Sequence, residues 1–286
     1  MHLKKLFVNL QIFYYLCSAL YNNKYRIIIM IDASIIIFVI VVVAIIVWII
    51  LAIRFEREKQ EIISTVTTLS RGESSEQDLI YRLVKAGIPA KTIFHDLYIK
   101  TKRGYTQIDI VVPTDKGIFV FEVKDYSGWL FGNGKYAKWT QVLAYGQERH
   151  QFYNPIMQNA RHIEALRNTS EQLQNIPIYS IIVFYGSCEI KDLTNVPSDC
   201  WVVYDYDAVR IVKNIMETAH SAPYTDKWEV MRILKTGVEN GDDETIKAAH
   251  IDNVQRASYG KYNSTYSYSY FNFPRFKIYR RRRFRS

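Results

Sequence analysis

Three charged side chains stand where apolar, strand-like runs should exclude them. Asp109 interrupts Ile108-Asp109-Ile110-Val111-Val112, and Glu122 and Lys124 close the run Ile118-Phe119-Val120-Phe121-Glu122-Val123-Lys124. Alternation along a strand puts Glu122 and Lys124 on one face. Burying unpaired charges is costly, so such strands need a reason for carrying them. Two carboxylates from neighbouring strands form a hard oxygen site suited to magnesium. A lysine two residues further on the same face can orient or deprotonate a metal-bound water. A Glu-x-Lys pair by itself also fits a wet strand end without chemistry, and both readings stand at this point.

The elements around these residues follow from periodicity and turn residues. Leu79, Ile80, Leu83 and Val84 form an apolar stripe on a helix over 76–86, which Gly87 and Pro89 stop. Runs at 93–100, 106–112 and 118–124 read as strands of a meander, and glycines around 128–134 suggest a further hairpin over 129–139. A helix begins at Pro155 and continues to Gln174. Strands follow at 178–185 and 201–204, and helices at 206–217, 225–239 and 242–255. The expected body is an α/β domain with a small helical extension.

Gly72-Glu73-x-x-Glu76, Gln107-Ile108-Asp109 and Gly117 to Lys124 occur in this order, followed by Gly128, Trp139, Asn154-Pro155 and Gln158. Their order and spacing resemble the nuclease-related domain, NERD, of the PD-(D/E)xK nuclease superfamily, over roughly residues 70–185. The resemblance implies a mixed central β-sheet flanked by helices, of the restriction-endonuclease-like kind. It implies a Mg2+- or Mn2+-dependent nuclease acting on nucleic acid, with DNA favoured. Asp109 and Glu122 would be metal ligands, the Val123 carbonyl a third, and Lys124 the catalytic lysine. A glutamate of the first helix joins such sites, and Glu76, on the core-facing side, is preferred over Glu73. Gln158 matches the start of a Gln-x-x-x-Tyr element of RecB-like nucleases, with His162 in place of the tyrosine. One histidine at helical spacing reads first as a surface or half-buried helix residue. Asp125 stands where the family has Asn and adds a negative charge beside the proposed site. The competing function is a catalytically weak or inactive module that binds nucleic acid or protein at the membrane.

Ala33 to Ile53 form a run of 21 residues in which only Ser34 is polar, long enough for a transmembrane helix. Arg54, Arg57 and Lys59 after the span place the C-terminal bulk in the cytoplasm, whereas Lys4, Lys5, Lys24 and Arg26 before it argue the other way. A start at Met30 would resolve the conflict and leave residues 1–29 as a leader of open status. The organisation is then a leader (1–29), an anchor (30–54), a helical stalk (55–70), a nuclease-like domain (71–205), a helical extension (206–257) and a tail (258–286).

The net charge of +9 is uneven. Eight Lys and Arg side chains and no Asp or Glu lie in residues 258–286, leaving about +1 for the rest. The body is therefore no globally basic nucleic-acid binder. The tail alternates aromatics with Ser and Asn and ends in an arginine run, a composition read as disordered. It suits nucleic acid and anionic lipid equally. Cys17, Cys188 and Cys200 have no paired spacing, which excludes a disulfide framework or cysteine-rich zinc site. Trp129, Phe131 and Trp139 read as core or hairpin packing.

Overall fold

The computed structural model describes residues 2–259, without the side chains of 2–12, 22–34, 36 and 253–259. The aromatic, arginine-rich tail lies outside the described residues from 260 onward. The chain divides into two compact units after Lys59.

The first unit is helical. Helix α1 (His2–Ser64) runs without interruption through the segments read as leader, anchor and the first part of the stalk. Its portion Ile37–Ser64 is long and apolar enough to cross a membrane, and none of its apolar stretch is buried against protein. The expected stalk helix to residue 70 stops early. Ser64 and Thr65 turn their hydroxyls back onto the carbonyls of Glu61 and Ile62, at 2.7 and 2.6 Å, which offers the backbone an alternative to continuing the helix.

In the second unit, helix α2 (Ser74–Lys85) precedes the meander β1 (Phe94–Thr101), β2 (Gly104–Thr114) and β3 (Gly117–Asp125). Strands β4 (Gly128–Asn133), β5 (Lys138–Leu143) and β6 (Glu148–Tyr153) come next, then helices α3 (Pro155–Arg167) and α4 (Gln172–Asn175). Strands β7 (Ile178–Tyr185), β8 (Cys188–Thr194) and β9 (Cys200–Tyr204) lead into α5 (Asp205–Thr218), α6 (Lys227–Asn240) and α7 (Glu244–Tyr259). The strands form two mixed sheets. One has the order β1-β2-β3-β7-β9, the other β6-β5-β4-β8. Within the first, β1-β2-β3 pair antiparallel and β3-β7-β9 pair parallel.

The resemblance implies one mixed central sheet, and the second sheet is the main difference. Its outer strands are edges, β6 (ERHQFY) mostly exposed and β8 (CEIKDLT) exposed or half-buried beyond Cys188, and neither keeps the strict apolar alternation of a half-buried strand. The long helix expected after Pro155 also breaks. Asn168 caps α3, and Arg167 Nη1 donates to the carbonyls of Leu173 and Gln174 at 2.7 and 2.8 Å, fastening the short α4 behind it.

Two apolar clusters cover the faces of the first sheet. Leu79, Ile80 and Leu83 of α2 and Ile211, Val212 and Ile215 of α5 pack with Ile110, Phe119, Phe121 and Ile181. On the other face, Leu166 of α3 and Val230 and Leu234 of α6 pack with Leu97, Ile108, Ile118 and Val120. Burial of a side chain such as Phe119 or Phe121 contributes about 2 kcal/mol each. A third cluster around Leu130, Trp139, Ile156 and Phe184 joins the second sheet to this body.

Candidate active site

The site lies where the central sheet opens. The β2–β3 ladder runs from Thr114↔Gly117 to Ile110↔Phe121 and stops. Asp109 and Glu122 would form the next rung. In its place Asp109 Oδ2 accepts the Val123 N–H at 2.8 Å. Side-chain alternation breaks at the same level, since Ile108 and Ile110, two residues apart, pack in clusters on opposite faces. In β1 the pairing skips Asp96, which would face Asp109 and which adopts a left-handed φ of 56°. Two like charges directly opposite would repel. The Asp96 carboxylate is instead taken by Arg71 Nε and Gln107 Nε2, both at 2.7 Å.

Glu122 is completely buried. Lys124 Nζ lies 2.5 Å from its Oε1 and His162 Nε2 lies 3.1 Å from its Oε2. These contacts are close but off the hydrogen-bond axis, so neither carboxylate oxygen has an aligned donor among the described residues. Thr106 Oγ1 sits 2.8 Å from His162 Nδ1 and holds the ring from behind. Burial pushes the Glu122 carboxyl up, but His162 and Lys124 outweigh it and hold the group below its ordinary value. Asp109 behaves oppositely. Burial, then the charges of Glu122 and Glu76, push it well above the ordinary carboxylate range, against Lys124 and the Val123 N–H. Burial would lower Lys124, yet Glu122 and Asp109 raise it to about 12, so it is an ammonium at neutral pH.

Helix α2 supplies Glu76, buried with 7% exposure, whereas Glu73 at its N-cap is exposed. Glu76 Oε2 is 2.9 Å from His95 Nε2, and His95 Nδ1 is 2.9 Å from Thr67 Oγ1. The motif glycine Gly72 makes room for this pair. It has φ +73°, and a Cβ there would lie 2.4 Å from both Glu76 Oε2 and His95 Nε2. Two Thr–His–Glu chains therefore flank Asp109, one ending on Glu122 and one on Glu76.

Sequence reasoning missed His95 and undervalued His162. His162 is not a surface or half-buried residue; it is 5% exposed and faces Glu122. Its spacing from Gln158 was visible, but its neighbours come from β2 and β3. His95 carries no spacing signal at all, and in the sequence it stands beside Asp96 in a run that also holds Lys100, so nothing local singles it out. Gln158 is half-buried on the first turn of α3, one turn before His162. Asp125, exposed on the alternate face of β3, lies against Gly186, and its charge adds to burial in raising Cys188. Asn154 is fully buried and holds the hairpin and α3 together. Its Oδ1 accepts from Ile156 N–H at 2.9 Å, and its Nδ2 donates to the carbonyls of Asn133 and Tyr136 at 3.0 and 2.8 Å. Trp139 is buried and stacked on Phe184, while Trp129 is half-buried beneath Lys191, and Phe131 is partly exposed.

The donor set fits a hard divalent cation. Asp109 and Glu122 offer carboxylate oxygens, the Glu122 pair lacks aligned donors, and two adjacent buried carboxylates disfavour each other unless a cation joins them. Among the described residues no three His, Cys, Asp or Glu side chains form a ligand cluster. Backbone carbonyl and water would complete the shell, as magnesium prefers.

An uncharacterized protein of Bacillus anthracis is 29% identical over 187 residues, which cover 63% of this chain and 82% of that protein. No solved structure matches the chain. The sequence model of the nuclease-related domain matches residues 71–185, the stretch that contains Gly72, Glu76, Asp109, Glu122, Lys124 and Gln158. Residues 71–185 are therefore similar to the NERD nuclease-related domain, and they lie in a mixed α/β fold.

Proposed function

We propose that this chain is a membrane-anchored, metal-dependent nuclease that hydrolyses phosphodiester bonds of nucleic acid, with DNA favoured. The observation that carries the reading is the convergence of Asp109, Glu122 and Lys124 at the open end of the β2–β3 ladder. A site without chemistry has no reason to keep a buried carboxylate pair and an ammonium together.

Asp109, Glu122 and the Val123 carbonyl would hold Mg2+ or Mn2+. Such an ion lowers the pKa of water and stabilises charge on a phosphoryl oxygen. The chain's own groups do the rest. His162 and Lys124 keep Glu122 ionised, and Lys124, as an ammonium, donates to and neutralises the charge that develops on phosphate. Glu76 contributes a further carboxylate from α2, and Gln158 stands on the first turn of α3, one turn before His162. The apolar part of α1 anchors the protein, with 33–53 in the bilayer and the NERD domain on the cytoplasmic side, as Arg54, Arg57 and Lys59 favour. The basic aromatic tail contacts nucleic acid or anionic lipid.

The test is cleavage of single- and double-stranded DNA and RNA by the full chain in detergent, titrated with Mg2+ and Mn2+, beside Lys124→Ala. Metal-dependent cutting that the variant loses is expected. Equal cutting by the variant, or binding without cutting by the wild type, overturns the enzyme reading; the latter leaves the membrane-tethered binding module.

A further inference from the structure

The match to the family begins at residue 71, yet the hydrogen-bond chain that ends on Glu76 begins at Thr67. Thr67 belongs to the segment between α1 and α2, which leads from the apolar helix into the domain. That segment is packed in place. Ile63 is 2% exposed, Val66 packs with the α2 cluster, and Gln77 Nε2 donates to the carbonyls of Leu69 and Arg71 at 3.0 and 3.1 Å. Arg71 ties it to β1 through Asp96.

His95 has no freedom to turn. It is 1% exposed, stands opposite Ile110 beside Asp109 in the β1–β2 register, and is closed in by Gly72. A neutral imidazole carries one N–H and one lone pair, and the partner of one nitrogen decides which it carries. If the Thr67 hydroxyl donates to Nδ1, the ring proton is held on Nε2, where it donates to Glu76. The Glu76 carboxylate accepts only and so takes the Nε2 proton; without the Thr67 hydroxyl the Nδ1 lone pair is buried with no partner, and the ring is no longer pinned where it meets Glu76. The same order, hydroxyl to imidazole to carboxylate, recurs in Thr106, His162 and Glu122.

We infer that Thr67 and His95 are positioning residues for Glu76, so that the segment joining the apolar helix to the NERD domain is a working part of the active site. The inference rests on the nuclease reading above. It places a residue of the linker, outside the matched stretch, behind the buried carboxylate of α2.

The experiment uses the full chain in detergent. Thr67→Val removes the hydroxyl at nearly constant volume, and Thr67→Ser restores it. Thr67→Val is expected to lower kcat for DNA cleavage about 10-fold with KM unchanged, and Thr67→Ser to recover it. Thermal melting of the two variants should agree within a few degrees. Ring-nitrogen NMR shifts of histidine-labelled protein, with His95→Gln to assign the signal, read the tautomer without reference to activity. The Nε2–H form is expected in the wild type, and in Thr67→Val the Nδ1 signal should move from its wild-type position as it loses its donor. A wild-type Nδ1–H or doubly protonated ring overturns the inference, as does Thr67→Val that cuts like the wild type, or Thr67→Ser that loses as much as Thr67→Val. A wild type that cuts nothing while showing the Nε2–H ring overturns the nuclease reading and, with it, the catalytic purpose assigned to this chain of bonds.

Discussion

Asp109 Oδ2 accepts the Val123 N–H at 2.8 Å, one residue beyond the last rung between β2 and β3. One side chain thus closes the ladder where the strands part and also faces Glu122. Its two tasks can be separated. Asp109→Asn keeps an acceptor for Val123 and should melt near the wild type, while metal-dependent cleavage falls at least 100-fold. Asp109→Ala strands the Val123 N–H and should cost a further 1–3 kcal/mol, roughly, in chemical denaturation. Equal stability of the two variants would remove the structural half of this account.

Glu122 has 0% exposure and Lys124 is its closest cation. Lys124→Met leaves a buried carboxylate with only His162 beside it, and should destabilise by roughly 3 kcal/mol. Adding Glu122→Gln removes the stranded charge, so the double variant should regain most of that loss while staying inactive. Thermal melting of the four proteins of this cycle checks the sign and size of the coupling.

Asn154 caps α3 and fixes the β4–β5 turn through the same amide. Asn154→Ala should cost about 2–3 kcal/mol from the lost cap and the unmet carbonyls. Because α3 carries His162, cleavage should fall further than stability alone explains, which parallel melting and kinetic measurements on Asn154→Asp and Asn154→Ala would show.

Cys188 and Cys200 are buried, and burial pushes their thiols up to about 11 and about 12. The thiolate is the reactive form, and it accumulates only as pH approaches these values. At pH 8 both should resist a thiol reagent in the folded protein and react rapidly once it is denatured, whereas exposed Cys17 reacts in both states. Rapid labelling of Cys200 in the native protein would contradict the burial described here.

Several elements were legible before the fold because local chemistry dictated them. The stripe Leu79, Ile80, Leu83 specifies α2 and its buried face, Asn154-Pro155 specifies the start of α3, and the apolar run of 118–123 specifies the central strand β3. Strands β6 and β8 were not legible, since edge strands in contact with solvent need no apolar alternation. Asp109, Glu122 and Lys124 stood out because a charge in an apolar strand is costly. His95 and Thr67 did not, since such polar groups carry little signal until their partners are known.

The sequence by itself determined which residue types lie at the site, the faces they share along one strand or helix, and the apolar run of α1, all of which depend on neighbours within a few residues. Only the tertiary structure decided that the β2–β3 ladder ends at Ile110 and Phe121, that His162 meets Glu122, and that Thr67 reaches Glu76 through His95. Those pairings join residues 11 to 40 positions apart in the chain. Their geometry depends on how two sheets and their covering helices pack, and no local periodicity encodes it.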